Sequence, residues 1–206
     1  MNIICNDNYD YDKKLERLYL ASQSPRRREL MANAGLQFEI IPPDENVEDE
    51  RKPYETPSQY VCRLAIQKAR NVAGKIECGR IIACDTVACC GEKLLGKPID
   101  KNDARRMLKF LRGKKHYVIS GLCLLAKKNN KLEQLDIAAE QTELVMQQIT
   151  DEDIESYLDG NSWIGKAGAF GYQDNNSWIK IINGSESNVV GLPLERLQEL
   201  LTHVTK

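Results

Sequence analysis

Arg80-Ile-Ile-Ala-Cys-Asp-Thr-Val-Ala-Cys89 is a nearly continuous apolar stretch near the middle of the chain. Gly91 follows as a turn, and Lys93-Leu-Leu95 can return as a second short strand. An apolar run of this length predicts a strand that is buried on both faces of a sheet. Asp85 stands inside the run, and a buried carboxylate is costly unless it is paired, hydrogen-bonded or bound to a metal. Asp85 is therefore the first candidate for a functional residue.

Helical and strand-like patterns alternate on both sides of this stretch. Before it, we predict a strand at 18–21, a helix from Ser24 to Gly35, a loop at 42–57 and a helix at 58–74. After it, we predict a helix at 102–112, strands at 117–126, 142–149 and 178–182, a short helix capped by Thr150 and Asp153, and a last helix from Pro193. This alternation predicts the α/β class.

Length, charge and cysteine usage narrow the class of protein further. The 206 residues suit one domain, and residues 1–17, rich in Asn, Asp, Tyr and Lys, read as a loose N-terminal extension. A net charge of −1 argues against nucleic acid as a partner. Since we find no membrane-spanning apolar run and no signal peptide, we expect a cytoplasmic protein without a membrane partner. Seven cysteines without a Cys-x-x-Cys pair, and two distant histidines, disfavour a zinc site.

The start of the first predicted helix conflicts with the helix dipole. Arg26, Arg27 and Arg28 fall in its first turn, where cations oppose the positive end of the helix. A bound anion removes the conflict, because backbone N–H groups, guanidinium groups and the hydroxyls of Ser22 and Ser24 form a phosphate cradle. A solvated basic turn explains the pattern equally well, so both interpretations stay open.

Two lysines are further candidates. Lys68 lies on the apolar stripe of its predicted helix, three residues after Ala65 and four before Val72. A lysine there extends to the surface, pairs with an acid or projects into a cleft. Lys97 follows the predicted hairpin within Gly96-Lys-Pro98, where the backbone has little freedom.

Cations and an isolated carboxylate together suit the cleavage of a phosphoanhydride. The cations neutralise phosphate charge, and a carboxylate such as Asp85 binds a divalent ion or orients water. The chain contains neither a Walker motif nor a glycine-rich phosphate loop, which disfavours a P-loop nucleotidase. A structural partner for Asp85, such as an arginine, is the alternative.

Six motifs resemble, in order, those of the Maf family of nucleoside triphosphate pyrophosphatases. They run from Leu20 to about Leu197, and together they are far more specific than any one alone. The motifs are Leu20-Ala-Ser-Gln-Ser-Pro-Arg-Arg-Arg-Glu-Leu30, Arg63-Leu-Ala-Ile-Gln-Lys-Ala69, Cys84-Asp-Thr-Val87, Leu95-Gly-Lys-Pro98, Lys166-Ala-Gly-Ala-Phe-Gly-Tyr-Gln173 and Asn188-Val-Val-Gly-Leu-Pro193.

The resemblance implies a fold, a chemistry and a set of site residues. It implies that residues 18–206 form one elongated two-lobed catalytic domain, similar to inosine triphosphate pyrophosphatases, with a mixed sheet and a deep cleft between the lobes. It also implies dependence on Mg²⁺ or Mn²⁺ and a possible homodimer. Asp85 is expected to act as general base or metal-side carboxylate, and an acid from the 47–50 stretch, Glu48 or Asp49, is expected to join it as a metal ligand. The residues expected to bind the triphosphate are Ser22, Arg26, Arg27, Lys68 and Lys97, with Lys68 and Lys97 also counted as catalytic.

Three positions bear on the nucleobase. Arg26, Thr86 and Gln173 match the branch that resembles dTTP/UTP pyrophosphatases, whereas the 7-methyl-GTP branch tends to have Trp, Gln and Glu there. A glutamine amide both donates and accepts, which suits the imide edge of thymine or uracil. Asp174 departs from the family pattern, because it replaces the usual glycine after Gln173.

We therefore predict a nucleoside triphosphate pyrophosphatase that converts dTTP and UTP to the monophosphate and pyrophosphate. Two alternatives remain: a pyrophosphatase for another or modified nucleotide, such as 7-methyl-GTP, and a nucleotide-binding regulator of cell division. The joint presence of Lys68, Asp85 and Lys97 favours catalysis over binding alone.

Overall fold

A mixed seven-stranded sheet forms the centre of the protein in a computed structural model that describes residues 17–174 and 177–203. The strands follow the spatial order β2-β1-β3-β5-β6-β7, with β4 paired to β3. They are β1 (Leu18–Leu20), β2 (Glu39–Ile40), β3 (Gly79–Cys90), β4 (Lys93–Leu95), β5 (Lys115–Lys128), β6 (Lys131–Met146) and β7 (Ile179–Asn183). The mixed α/β class predicted from the sequence is confirmed.

The pairing of β3 places the candidate carboxylate in the middle of the sheet. β1 runs parallel to β3, whereas β4 and β5 run antiparallel to it. Asp85 pairs with Gly121 of β5, and Thr86 pairs with Ser120. Since successive side chains of a strand point to opposite faces, Asp85 and Thr86 belong to different faces of the sheet.

Six α-helices accompany the described strands. They are α1 (Pro25–Asn33), α2 (Pro57–Ala73), α3 (Lys101–Leu111), α4 (Asp151–Asp159), α5 (Glu186–Val190) and α6 (Leu194–His203). Thr56 and Gln59 form a reciprocal capping box at the start of α2, and Thr150 and Asp153 do the same for α4. Short 3₁₀ turns at Ala167–Ala169 and Tyr172–Asp174 lie between α4 and β7.

Helix α2 lies against the face of the sheet to which Asp85 belongs. At Gly121 a Cβ atom would lie 2.4 Å from the backbone nitrogen of Cys62 and 2.4 Å from the carbonyl carbon of Val61. Only glycine permits so close an approach of a helix backbone to a strand. The contact holds α2, and with it Lys68, directly over β3 and β5.

Alternate residues of the central strands belong to different cores. Ile82 and Leu122 pack with Leu20 and Met31 on one face, together with residues of α6, whereas the neighbouring residues of β3 and β5 pack against α2 on the other face. β3 is therefore buried on both faces, as predicted. A third core joins α3 and α4 to the far ends of the strands around Leu108.

The observed secondary structure differs from the predicted elements at β6 and α5. β6 begins at Lys131, although a strand was predicted only from Thr142, because exposed polar residues in its first half hide the strand pattern. Helix α5 was not predicted. Residues 1–16 of the proposed N-terminal extension lie outside the described part of the chain, whereas the carbonyl of Arg17 accepts a hydrogen bond from the backbone of Arg80. Within the described ranges, no helix has the length and apolar character needed to cross a membrane.

Candidate active site

A cleft of about 690 Å³ is lined by most of the predicted site residues. One wall comes from residues 21–27 at the start of α1 and from residues 43–48. The opposite wall comes from residues 164–167 and 170–173. The cleft is also lined by Lys68, Asp85, Thr86 and Lys97, together with residues 189–191. Residues that are far apart in the sequence therefore face the same cleft.

Lys68 connects two carboxylates. Its Nζ lies 2.5 Å from Oδ1 of Asp85 and 2.9 Å from Oε1 of Glu48. The Lys68 residue is only 6% exposed, and the Asp85 side chain is 13% exposed. The apolar stripe of α2 thus carries its one buried ammonium to a carboxylate of β3, and the ion pair explains how both charges are accommodated.

Of the two acids that the sequence left open, Glu48 faces the cleft. Glu48 lines the cleft and pairs with Lys68, whereas Asp49 accepts a hydrogen bond from the amide of Gln67 at 2.5 Å and lies 3.7 Å from Nη1 of Arg63. Asp49 is thus held on the outer side of the 42–57 loop, since adjacent residues of an extended loop point in different directions. Of the two acids, Glu48 is therefore the one that lies beside Lys68 and Asp85 in the cleft.

Arg27 lies on the face of β3 that carries Thr86, opposite to the face of Asp85. Its Nε donates to the carbonyl of Gly191 at 2.8 Å, its Nη2 to the hydroxyl of Thr86 at 3.2 Å, and its Nη1 to the hydroxyl of Ser22 at 3.3 Å. The Thr86 hydroxyl also lies 2.9 Å from that of Ser120. Thr86 and Ser22 therefore orient Arg27, whose guanidinium lies at the cleft.

The first turn of α1 presents backbone donors to the cleft. Ser24 occupies the N-cap position, but its side chain makes no capping hydrogen bond, and its backbone N–H donates to the Ser22 hydroxyl at 3.1 Å. Arg26 donates to the carbonyl of Gly165 in the opposite wall at 3.0 Å. Burial lowers the pKa of Arg26, and the neighbouring charge of Arg27 lowers it further. Two neighbouring guanidiniums at a helix N-terminus are the kind of arrangement that favours an anion.

Lys97 lies at the rim of the same cleft. Its residue is exposed, but the cleft walls partly desolvate the ammonium and lower its pKa, and the charges of Lys68 and Arg27 add to this effect. An anion between these cations would restore the pKa of Lys97. The electrostatics of the cleft therefore favour a bound phosphate chain.

The opposite wall, formed by residues 164–167 and 170–173, carries Gln173. Beside it lies a group of half-buried polar contacts that the sequence did not predict. Gln173 is exposed and lines the cleft. The ammonium of Lys166 contacts both carboxylate oxygens of Asp174, and the hydroxyl of Tyr157 donates to Oδ2 of Asp174 at 2.6 Å. Asp174 stands where the resemblance led us to expect a glycine, and this departure is the one sequence signal that pointed to this place.

The donors present fit a divalent cation of the magnesium type. Glu48 and Asp85 offer hard carboxylate oxygens that converge on one point, at present shared by Lys68. Mg²⁺ is commonly held by one or two carboxylates and substrate phosphates rather than by an all-protein cage. Residues 17–174 and 177–203 contain no cluster of three or more His, Cys, Asp or Glu side chains arranged to hold a metal.

Known proteins resemble this chain over nearly its full length. The family model described as Maf-like protein matches residues 17–204. A dTTP/UTP pyrophosphatase of Rhodopirellula baltica is 46% identical over 187 residues, which cover 90% of this chain and 81% of that protein. A dTTP/UTP pyrophosphatase of Ruminiclostridium cellulolyticum is 42% identical over 190 residues, which cover 91% and 95% of the two chains.

Solved structures resemble it more distantly. The Ham1 protein of Staphylococcus aureus aligns with a TM-score of 0.46 at 10% identity, covering 91% of this chain and 98% of that one. The family assignment rests instead on the match over residues 17–204 and on relatives above 40% identity. On these grounds, the chain belongs to the Maf family.

Proposed function

We propose that this protein hydrolyses dTTP and UTP to the nucleoside monophosphate and pyrophosphate. The observation that carries the proposal is the cluster of Asp85, Lys68 and Glu48 in a cleft whose other walls hold Arg26, Arg27 and Lys97. The Maf relatives named dTTP/UTP pyrophosphatases support it, since they resemble the chain across the whole cleft-forming region.

The triphosphate would bind along the cationic wall. Backbone donors at the start of α1 and the guanidinium of Arg26 can contact the phosphate oxygens, while Arg27 is pre-oriented by Thr86 and Gly191. Lys97 closes the rim. Cations placed around the β and γ phosphates stabilise the pyrophosphate as it leaves, because negative charge develops there.

Asp85 is the group best placed to act on water. Its carboxylate borders the cleft and is oriented by the ammonium of Lys68 at 2.5 Å. A water held against Asp85 can attack the phosphorus on the α side of the α–β bridge and give up its proton to the carboxylate. Lys68 holds the carboxylate in place and neutralises the charge that gathers between Glu48, Asp85 and the phosphate.

Glu48 and Asp85 would hold the Mg²⁺ or Mn²⁺ ion that this chemistry requires. Bound there, the ion would supply positive charge to the phosphate oxygens. Lys68 contacts both carboxylates, so its ammonium would share them with a bound ion.

The nucleobase would lie against the far wall. Gln173 lines the cleft there beside Phe170 and Tyr172. Its amide can accept from N3–H and donate to a carbonyl of thymine or uracil, whereas cytosine offers the reversed pattern at N3 and N4. The same wall is lined by Ile164 and Ala167, whose apolar surface suits a planar ring.

The test is pyrophosphate release by the purified protein with Mg²⁺ or Mn²⁺ on dTTP, UTP, CTP, GTP and 7-methyl-GTP. We expect preferential turnover of dTTP and UTP, and a loss of about 10²–10⁴-fold in kcat for Asp85→Asn. Turnover of 7-methyl-GTP alone would overturn the assignment of the base. Nucleotide binding without turnover of any substrate would favour the regulator, and full activity of Asp85→Asn would refute the role of Asp85.

A further inference from the structure

A half-buried ion pair closes the segment that carries Gln173. Lys166 and Asp174 stand at the two ends of residues 166–174, and the ammonium of Lys166 contacts both oxygens of the Asp174 carboxylate. Their side chains are 12% and 17% exposed, so solvent screens this pair far less than the surface pairs of the protein. Between the two ends lie Phe170, Tyr172 and Gln173, which all line the cleft.

Two further contacts hold the closed segment in one geometry. The hydroxyl of Tyr157 on α4 donates to Asp174 at 2.6 Å, and the Tyr157 ring packs edge-to-face on Trp178. A Cβ at Gly171 would lie 2.3 Å from Nζ of Lys166 and 2.4 Å from Oδ2 of Asp174, so the ion pair occupies the space beside this glycine. Burial raises the pKa of Tyr157, and its hydrogen bond to Asp174 raises it further, so the phenol stays protonated as donor.

We propose that Asp174 is a positioning residue that fixes Gln173 against the nucleobase and thereby sets the preference for uracil and thymine over cytosine. The proposal rests on the proposed function and adds a determinant that does not touch the substrate.

The ion pair can affect base selectivity through the backbone of Gln173. The side chain of Gln173 is exposed. Its backbone is joined by a peptide bond to Asp174, which the half-buried ion pair with Lys166 holds in place. A backbone that is held in place limits the positions from which the Gln173 amide can reach the base, whereas a loosened backbone would let the amide approach either pyrimidine. Loosening the segment should therefore cost base discrimination before it affects the reaction at Asp85, which lies on β3.

The ion pair also withholds one cation from the phosphates. Lys166 lines the cleft, but Asp174 neutralises its charge. The triphosphate would therefore be bound by Arg26, Arg27 and Lys97 instead. Removing the Asp174 charge would release Lys166. A base-free polyanion such as tripolyphosphate separates this effect from positioning, because it reports on cations alone.

The experiment compares wild type with Asp174→Ala, Asp174→Asn and Tyr157→Phe. Asp159→Asn is the matched control, because Asp159 forms a lysine pair with Lys101 at 2.5 Å, but the pair is exposed and neither residue lines the cleft. The measurements are KM and kcat for UTP and CTP, and calorimetric binding of UTP, CTP and tripolyphosphate. Thermal melting establishes that each variant is folded, and Asp174→Asn serves if Asp174→Ala does not fold.

For Asp174→Ala we expect KM for UTP to rise about tenfold, which corresponds to about 1.4 kcal/mol of binding. We expect kcat for UTP within about twofold of wild type and a UTP-to-CTP preference reduced by about tenfold. Binding of tripolyphosphate should not weaken, because Lys166 is released rather than lost. Tyr157→Phe should lie between Asp174→Ala and wild type, and Asp159→Asn should match wild type. A general structural role would lower kcat and weaken tripolyphosphate binding as well.

Two results would overturn the inference. One is an unchanged UTP-to-CTP ratio in folded Asp174 variants of an active enzyme, and the other is tighter tripolyphosphate binding without loss of selectivity, which would make Asp174 a brake on Lys166. If wild type shows no turnover, the proposed reaction fails, and the calorimetric UTP-to-CTP ratio still decides the role of Asp174. Wild type that binds neither nucleotide refutes both proposals.

Discussion

The ammonium of Lys68 lies 2.5 Å from Oδ1 of Asp85, although the two residues belong to different elements and are 17 positions apart. Each would be a costly buried charge alone, and pairing offsets part of that cost. The same ammonium reaches Glu48 at 2.9 Å, so three charged groups meet where α2 crosses β3. This meeting point makes the cleft a candidate for phosphate chemistry.

Glu48 and Asp49 are adjacent in sequence, but we expect only Glu48 to affect the dependence of activity on Mg²⁺. Glu48→Gln removes one of the two carboxylates that can hold a divalent ion, so we expect the Mg²⁺ concentration for half-maximal activity to rise by at least about tenfold. Asp49→Asn, whose carboxylate contacts Gln67 and Arg63 outside the cleft, should leave it unchanged. A metal titration of turnover checks both variants, and the reverse order would return the role to Asp49.

Binding through Lys97 should weaken at high pH. Desolvation and the charges of Lys68 and Arg27 lower its pKa in the folded protein, so the unbound ammonium deprotonates below the usual range for lysine. A bound nucleotide favours the charged form of Lys97. KM for UTP should therefore rise as the pH increases through the lowered pKa of Lys97. Between the folded and unfolded pKa values the unfolded chain binds more protons at Lys97, so the stability contribution of this group increases with pH.

Lys97→Arg is the control for that pH dependence, because arginine stays charged over the whole range. We expect its KM to lack the rise seen in wild type. Measuring KM for UTP at increasing pH in both proteins decides the matter, and identical profiles would exclude Lys97 as the source.

Arg27→Lys should destabilise the protein as well as weaken binding. A lysine cannot reproduce the three contacts to Gly191, Thr86 and Ser22, and hydrogen bonds of charged groups contribute about 1.5–3 kcal/mol each before compensation. We expect a loss of about 1–3 kcal/mol in the free energy of unfolding. Arg28→Lys, on the exposed side of the same turn, should be neutral in chemical denaturation, and equal losses would argue against this account.

Gly121→Ala should displace α2 from the sheet. The new Cβ would lie 2.4 Å from the backbone at Cys62, and overpacking of this kind costs about 1–3 kcal/mol. Because the same helix carries Lys68, kcat should fall as well, by up to about 100-fold for a shift near 1 Å. Gly160→Ala is the control, since its Cβ would have only an ordinary contact at 3.5 Å. Unchanged melting and turnover of Gly121→Ala would contradict the packing argument.

Local patterns were sufficient for the central part of the fold. The apolar run around Asp85 became β3, buried on both faces, and the capping pair at Thr150 marked the start of α4 correctly. The first half of β6 was missed because it is stabilised by pairing along β5, a long-range contact that leaves exposed polar residues in the strand. Helix α5 was missed because its five residues carry too little periodicity.

The sequence by itself determined the α/β class, the family motifs and the types of residue needed for phosphoanhydride chemistry, because strand burial, helix caps and isolated charges are local properties. Only the tertiary structure decided which charges meet. It turned Glu48 rather than Asp49 toward Lys68, made Thr86 a support for Arg27, and joined Lys166 to Asp174 beneath Gln173. Those choices depend on loop direction and on packing across the sheet, which spacing along the chain does not encode.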